Sequence, residues 1–298
     1  WNVSPFPAPD RHTIPLYVAS SASLQGWDAV MQYAYAQVPL NGPGRPSNWH
    51  AFNDPALVAT LPAAALLYRR GDVRESSTIY AFAPNQEQLF NQSISARNAI
   101  ALRTAAEKGK LVVVMPPTKE LPWLERSVVS PGAKIIADPR QSQIRAEASE
   151  VVSDSGELRR NWDQGTFTIN TPRTQAAMGW VGGKTFVLPE VEIVVTTRNA
   201  TVAVQSLDGN PIGQSRHIMI SLGARSGPKS GTQTTVYSEP VEGKLFVAAP
   251  KGLKLHVWDA GAGKMREVAA PYKGGRYSVV LDKSLRSYWL FLGARSGA

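Results

Sequence analysis

From about Val129 to the C-terminus the chain breaks into short apolar runs separated by Gly, Asp, Asn and Pro, a spacing that suits antiparallel sheet and little else. The runs are Thr166 to Asn170, Glu192 to Thr197, Thr201 to Ser206, His217 to Leu222, Lys244 to Ala248, Lys254 to Trp258, Tyr277 to Leu281 and Ser287 to Leu292. They predict a β-sandwich domain over 129–298. The string Leu-Gly-Ala-Arg-Ser-Gly occurs at 222–227 and again at 292–297, each time after an apolar strand, but it is too short to define a repeat.

The first quarter has another rhythm. Ile14 to Leu24 and Asp54 to Arg70 carry helical periodicity. The second run opens on Asn53-Asp54-Pro55, an N-cap followed by a first-turn proline, and closes on Arg69-Arg70-Gly71, cations and then a C-cap glycine. Ala29 to Ala36 between them reads as a strand. A transition segment over 76–128 combines a strand at Ser77 to Phe82, a helix at Ser95 to Lys108 and a buried strand at Leu111 to Met115, closed by Pro116-Pro117. The expected class is therefore α+β, predominantly β.

Composition narrows the function. The formal charge of +9 is spread over single cations or pairs such as Arg69-Arg70 and Arg159-Arg160, without the stripe that a nucleic-acid backbone selects, so no nucleic-acid partner is expected. The absence of cysteine excludes disulfides, a thiol nucleophile and thiolate metal sites. The longest apolar run, Ala56 to Tyr68, is short and Pro-interrupted, so no membrane partner is expected either. A chain that opens on Trp1 reads as processed, truncated or stripped of a tag.

Three segments together resemble the end of clan-A glycoside hydrolases of the β-galactosidase and cellulase type. They are Trp1-Asn2 with Pro5-Phe6-Pro7; Leu24-Gln25-Gly26-Trp27-Asp28-Ala29 leading into Tyr33-Ala34-Tyr35; and Phe52-Asn53-Asp54-Pro55 leading into Ala63 to Val73. The stretch from Gly165 to Ala177 is similar to the accessory sandwich that follows such barrels. The resemblance implies that 1–75 is a remnant of the last units of a bacterial (β/α)8 barrel, from the exit of strand seven to helix eight. A complete barrel needs about 250 residues. It also implies secretion or a periplasmic location. Retaining enzymes of this type use two glutamates about 5 Å apart. The resemblance places the nucleophile just before Trp1 and the acid/base far upstream, so both fall outside this sequence, no catalytic residue is assigned, and glycosidase activity is not expected.

The same resemblance puts Asn2 beside the missing nucleophile and Tyr35 near the eighth strand. Trp49 and His50 end the Val38 to Asn48 loop, on the face where barrels bind substrate. Asn2, Tyr35, Trp49 and His50 are accordingly the candidate substrate-binding residues, with barrel packing as the alternative for Tyr35 and loop anchoring for Trp49. The four histidines, His12, His50, His217 and His256, lack metal-ligand spacing. No cofactor is required; a structural calcium ion is an option at Asp208-Gly209-Asn210 or Asp259-Ala260-Gly261, which also read as plain turns.

Three functions stay open at this level. The chain is a carbohydrate-associated glycoside-hydrolase fragment, a carbohydrate-binding module using Trp162, Trp180, Trp258 and Trp289, or a hydrolase of lactone or ester bonds, with or without a metal, that uses carboxylates such as Asp28, Asp54 and Asp72 exposed by the open barrel. The expected partners are a carbohydrate or other small molecule, and a second copy of the chain covering the open barrel edge.

Overall fold

The computed structural model describes residues 5–40, 46–92, 94–95, 97–115, 129–230, 236–259 and 261–294. Strands hold 33% of the residues and helices 19%, so the protein is α+β with β predominant.

Three helices form. α1 (Ile14–Gln25) has Pro15 in its first turn and stops where Gly26 turns left-handed at φ 64°. α2 (Pro55–Arg70) starts where the Asp54 carboxylate accepts from Ala56 N–H and ends at Gly71, φ 59°. α3 (Ile100–Lys108) is shorter than the expected Ser95 to Lys108. Asn98 Oδ1 accepts from Ser95 N–H at 2.9 Å, and this local turn competes with the first helical turn.

The strands in the first half are β1 (Ile79–Phe82), β2 (Lys110–Val113), β3 (Lys134–Ile135), β4 (Glu150–Val152), β5 (Leu158–Asn161), β6 (Thr166–Asn170), β7 (Thr174–Gly179), β8 (Lys184–Val187) and β9 (Val191–Val195). They continue as β10 (Ala200–Ser206), β11 (His217–Ala224), β12 (Ser226–Pro228), β13 (Val236–Ser238), β14 (Gly243–Ala248), β15 (Lys254–Asp259), β16 (Lys264–Val268), β17 (Tyr272–Lys273), β18 (Arg276–Leu281) and β19 (Trp289–Gly293).

Two antiparallel sheets build the sandwich, one ordered β16-β15-β19-β11-β10-β7-β6-β5-β4 and the other β17-β18-β14-β9-β8. Alternation along β10 shows how three layers share one strand. Ala200, Val202 and Val204 point into the core between the sheets, with Ile193, Leu245, Val279 and Leu290. Thr201, Ala203 and Gln205 point the other way, towards helices: Thr201 meets His12, Ala203 joins the second core, and Gln205 Nε2 donates to the α2 carbonyl of Ala63 at 3.0 Å. That second core packs Leu16, Ala19, Leu24, Ala63, Ala64 and Leu67 of the helices on Leu158, Ile169, Ala176 and Met178. Gly223 permits the approach, since a Cβ there would lie 2.9 Å from Thr60 Cγ2 and 3.1 Å from His12 Cβ. A separate three-stranded parallel sheet, β2-β1-β3, packs with α3 around Tyr80, Phe82, Leu102 and Ile136.

Two expectations change. Ala29 to Ala36 forms no strand, and no strand precedes Ile79 among the described residues. The segment alternates as a strand would, with Met31, Tyr33 and Tyr35 exposed, but its ladder is limited to the neighbouring loop, where Ala34 N–H donates to the Trp49 carbonyl and Phe52 N–H to the Tyr35 carbonyl. A strand needs a partner of matching length, and none is present among the described residues. The apolar helix faces lie against the sandwich. Finally, the strand expected as buried at Leu111 to Met115 is β2 at a sheet edge, with Val113 and Met115 exposed.

Candidate functional site

Antiparallel pairing of β5, β6, β7 and β10 lays their ends beside the start of α1, and the junction is a cleft of about 260 Å³. Its walls are aromatic: Tyr17 from α1, Trp162 from the β5–β6 turn, Phe167 from β6 and Trp180 after β7. Tyr17 meets Phe167 edge to face, with centroids 5.3 Å apart at 74°. The guanidinium of Arg160 lies 5.2 Å from the Trp162 ring and that of Arg198 5.1 Å from Trp180, so each indole has a cation on one face.

Glycine sets the position of Trp180. Gly165 closes the β5–β6 turn at φ 64°, and a Cβ there would lie 2.4 Å from Trp180 Cδ1; the Trp180 N–H in turn donates to the Gly165 carbonyl at 2.9 Å. The indole therefore lies on glycine backbone and remains 39% exposed.

Polar groups converge on the same cleft. Asp10, Thr13, Asn161 and Asn199 line it. Asn199 is buried, and its Oδ1 lies 2.9 Å from His12 Nε2, while its Nδ2 has no hydrogen-bond partner among the described residues. His12 Nδ1 lies 2.7 Å from Thr201 Oγ1. Burial, partly offset by the Asn199 hydrogen bond, lowers the His12 pKa to about 4, so the ring is neutral near pH 7. Since an amide oxygen only accepts, Nε2 carries the proton and Nδ1 accepts from Thr201. Asn199 is thus held by a neutral histidine with its amide N–H group left over.

Arg160 also reaches the far side of Tyr17, where Nη2 donates to Glu107 of α3 at 2.7 Å. The Tyr17 hydroxyl has its pKa raised, first by burial and then by the Glu107 charge, against the opposing effects of Arg160 and Ser21. This arrangement offers flat rings, hydrogen-bond donors and acceptors, and a paired charge. No group of three His, Asp or Glu side chains with the geometry to hold a metal occurs among the described residues. At the calcium candidates, Asp208 accepts from Asn210 N–H and Arg216 N–H, and Asp259 from Gly261 N–H and Ala262 N–H, as in ordinary turns.

The residues expected from sequence lie elsewhere. Asn2 is outside the described residues. Tyr35 and Trp49 are brought together by the Ala34–Trp49 backbone contact; both are exposed, and Tyr35 packs edge-on against Phe52 at 6.2 Å. His50 is buried, with Nδ1 3.3 Å from Ser47 Oγ. None of the three lines the aromatic cleft. Of the four sandwich tryptophans, Trp162 and Trp180 share the cleft, Trp258 is exposed on β15, and Trp289 anchors α2 by donating to the Ala59 carbonyl at 2.9 Å.

The carboxylates expected to be exposed divide. Asp28 is exposed, but Asp54 and Asp72 are buried. Asp54 pairs with the fully buried Arg11 at 2.6 Å, and Asp72 binds Arg173 at 3.0 Å and Thr174 Oγ1 at 2.7 Å. Both fix helices to the sandwich and are closed to substrate. Sequence reasoning missed Tyr17, Phe167 and Asn199, since nothing local marks them. No family model, no characterised protein and no solved structure matches this chain.

Proposed function

We propose that this chain is a carbohydrate-associated protein related to the C-terminal part of a clan-A glycoside hydrolase, and that it binds sugar in the aromatic cleft without cleaving it. The observation that carries the reading is the convergence of Tyr17, Trp162, Phe167 and Trp180 on a rim that also holds Asp10, Asn161 and Asn199. A pyranose has apolar C–H faces that suit aromatic rings and a ring of hydroxyls that suit convergent amides and carboxylates. In this reading α1 and α2 descend from the last barrel helices, and the extended 29–36 segment stands where the eighth strand would be.

Calorimetric titration with cello-, xylo- and galacto-oligosaccharides tests the proposal. Trp180→Ala is expected to weaken binding about tenfold, or ~1.4 kcal/mol, in line with the loss of one ring face. Absence of binding to every sugar, or binding indifferent to Trp162→Ala and Trp180→Ala, overturns it. A reading as an ester or lactone hydrolase keeps one supporting observation, the Ser47 hydroxyl beside the His50 imidazole. Turnover of an aryl ester that is lost in Ser47→Ala would promote it. The second copy expected over the barrel edge would cover Met31, Tyr33, Tyr35 and Trp49, all more than half exposed, and sedimentation of the wild type against Tyr33→Asp checks it.

A further inference from the structure

Behind the aromatic cleft lies a second and larger one, about 470 Å³, where α1, α3 and the β4–β6 end of the sandwich meet. Its size falls within the few hundred Å³ typical of small-molecule sites. Leu24, Leu102, Leu111 and Leu158 form much of its lining, in contrast to the polar rim next door. The two clefts are not independent, because Tyr17, Arg160 and Phe167 line both. A ligand in the first has these three side chains as its inner wall, and any substituent passing them enters the second.

The dividing wall is electrically neutral. Arg160 donates to Glu107 through both Nε and Nη2, so the cation already has its counter-ion and does not call for a ligand anion. An uncharged apolar group entering beside this pair has no charge of its own to strip of water, and it can cover the apolar surface that Trp27, Leu111 and Phe167 keep in this lining.

We propose that the ligand is an amphipathic sugar, a glycoside or sugar ester whose pyranose lies in the aromatic cleft while an uncharged aryl or short alkyl substituent fills the leucine-lined one. This rests on the sugar-binding reading above and adds the class of sugar. The arrangement also accounts for the place of α3: its Leu102, Ala106 and Glu107 supply one wall, so the substituent would touch three parts of the fold at once.

The test compares methyl, 4-nitrophenyl and octyl β-cellobiosides and β-galactosides, below micelle concentration, by calorimetric titration, with octanol and 4-nitrophenol as controls. Octyl or nitrophenyl glycosides are expected to bind at least about tenfold more tightly than the methyl glycoside of the same sugar, equal to ~1.4 kcal/mol. Ala106→Trp, which fills the second cleft from α3, is expected to erase that increment and leave methyl-glycoside binding unchanged. Val151→Phe fills it from the opposite wall if Ala106→Trp does not fold. Methyl and octyl glycosides that bind equally overturn the inference and leave the sugar reading standing. Octanol that binds as tightly as octyl glycoside overturns both, because the sugar then contributes nothing.

Discussion

Replacing Asp54 by alanine removes the acceptor at the centre of the joint between α2, the N-terminal turn and the sandwich. Its carboxylate and the Arg11 guanidinium are both fully buried and lie 2.6 Å apart. One oxygen also accepts from Ala56 N–H, capping α2, and from the hydroxyl of Ser226, the first residue of β12. The variant takes the Asp54 carboxylate from Arg11, which also donates to the Ser47 carbonyl at 3.1 Å and lies 5.6 Å from the Phe6 ring. Removing one member of a buried ion pair costs about 3 to 5 kcal/mol, and the lost cap about 1 kcal/mol within that range, so ~4 kcal/mol is expected. Asp54→Asn keeps an acceptor for the cap and leaves Arg11 charged, which should cost less. Arg11→Met combined with Asp54→Asn removes both charges and is expected to recover at least about 1 kcal/mol relative to the sum of the single changes. Urea unfolding followed by near-UV circular dichroism measures the wild type, Asp54→Ala, Asp54→Asn, Arg11→Met and the double variant. A loss below about 1 kcal/mol in Asp54→Ala, or strict additivity in the double variant, would refute the assignment of the joint to this pair.

Protonation of His12 supplies a pH test. Its folded pKa is about 4, against about 6.5 unfolded. The unfolded state binds the extra proton between these values, so stability falls as pH drops from about 6.5 towards about 4, by up to ~3 kcal/mol, and this contribution levels off below. His12→Gln should flatten that part of the profile, and an unchanged slope would show that the ring is not buried neutral. Gly165→Ala places a methyl where Trp180 lies and demands φ 64° of an alanine, so sugar affinity should drop about as far as in Trp180→Ala. Wild-type affinity in Gly165→Ala would mean that the indole position does not matter. Hydrolysis of aryl β-glycosides should sit at background, and turnover well above it would require catalytic carboxylates within this chain.

Where the sequence spoke clearly, local chemistry and long-range packing agreed. α2 carries its own start and stop in Asp54-Pro55 and Gly71, and the alternating runs at Val202/Val204, Leu245/Val247 and Tyr277/Val279 formed strands within a residue or two of expectation. β7 left no such trace. Its Thr-Gln-Ala-Ala-Met-Gly has little β propensity, yet it is nearly all buried, because helices cover the face that carries Ala176 and Met178 and the second sheet covers the face that carries Ala177. Ala29 to Ala36 failed in the opposite direction: the alternation was present, but the partner strands that give alternation its meaning were not.

The aromatic cleft was hidden for a related reason. Its wall takes Tyr17, Trp162, Phe167, Trp180 and Asn199 from points spread across 183 positions of sequence numbering, and it exists only once β5, β6, β7 and β10 pair in order. Local reading favours contiguous loops, which is how it arrived at Trp49 and His50 on one stretch of chain. The signal that was available lay in the glycines. Gly165 follows Trp162 by three residues and Gly179 precedes Trp180, each with positive φ, and a Cβ on Gly179 would lie 2.3 Å from the Gly165 carbonyl oxygen. Two glycines that each neighbour a tryptophan imply two backbones brought too close for side chains, and hence two indoles brought to one edge of the sheet. Substituting either glycine should therefore disturb both rings, whereas Trp162→Ala and Trp180→Ala should each leave the other ring in place. Tryptophan fluorescence of the four variants distinguishes these outcomes, and a glycine variant that shifts one ring alone would show that the two indoles are positioned independently.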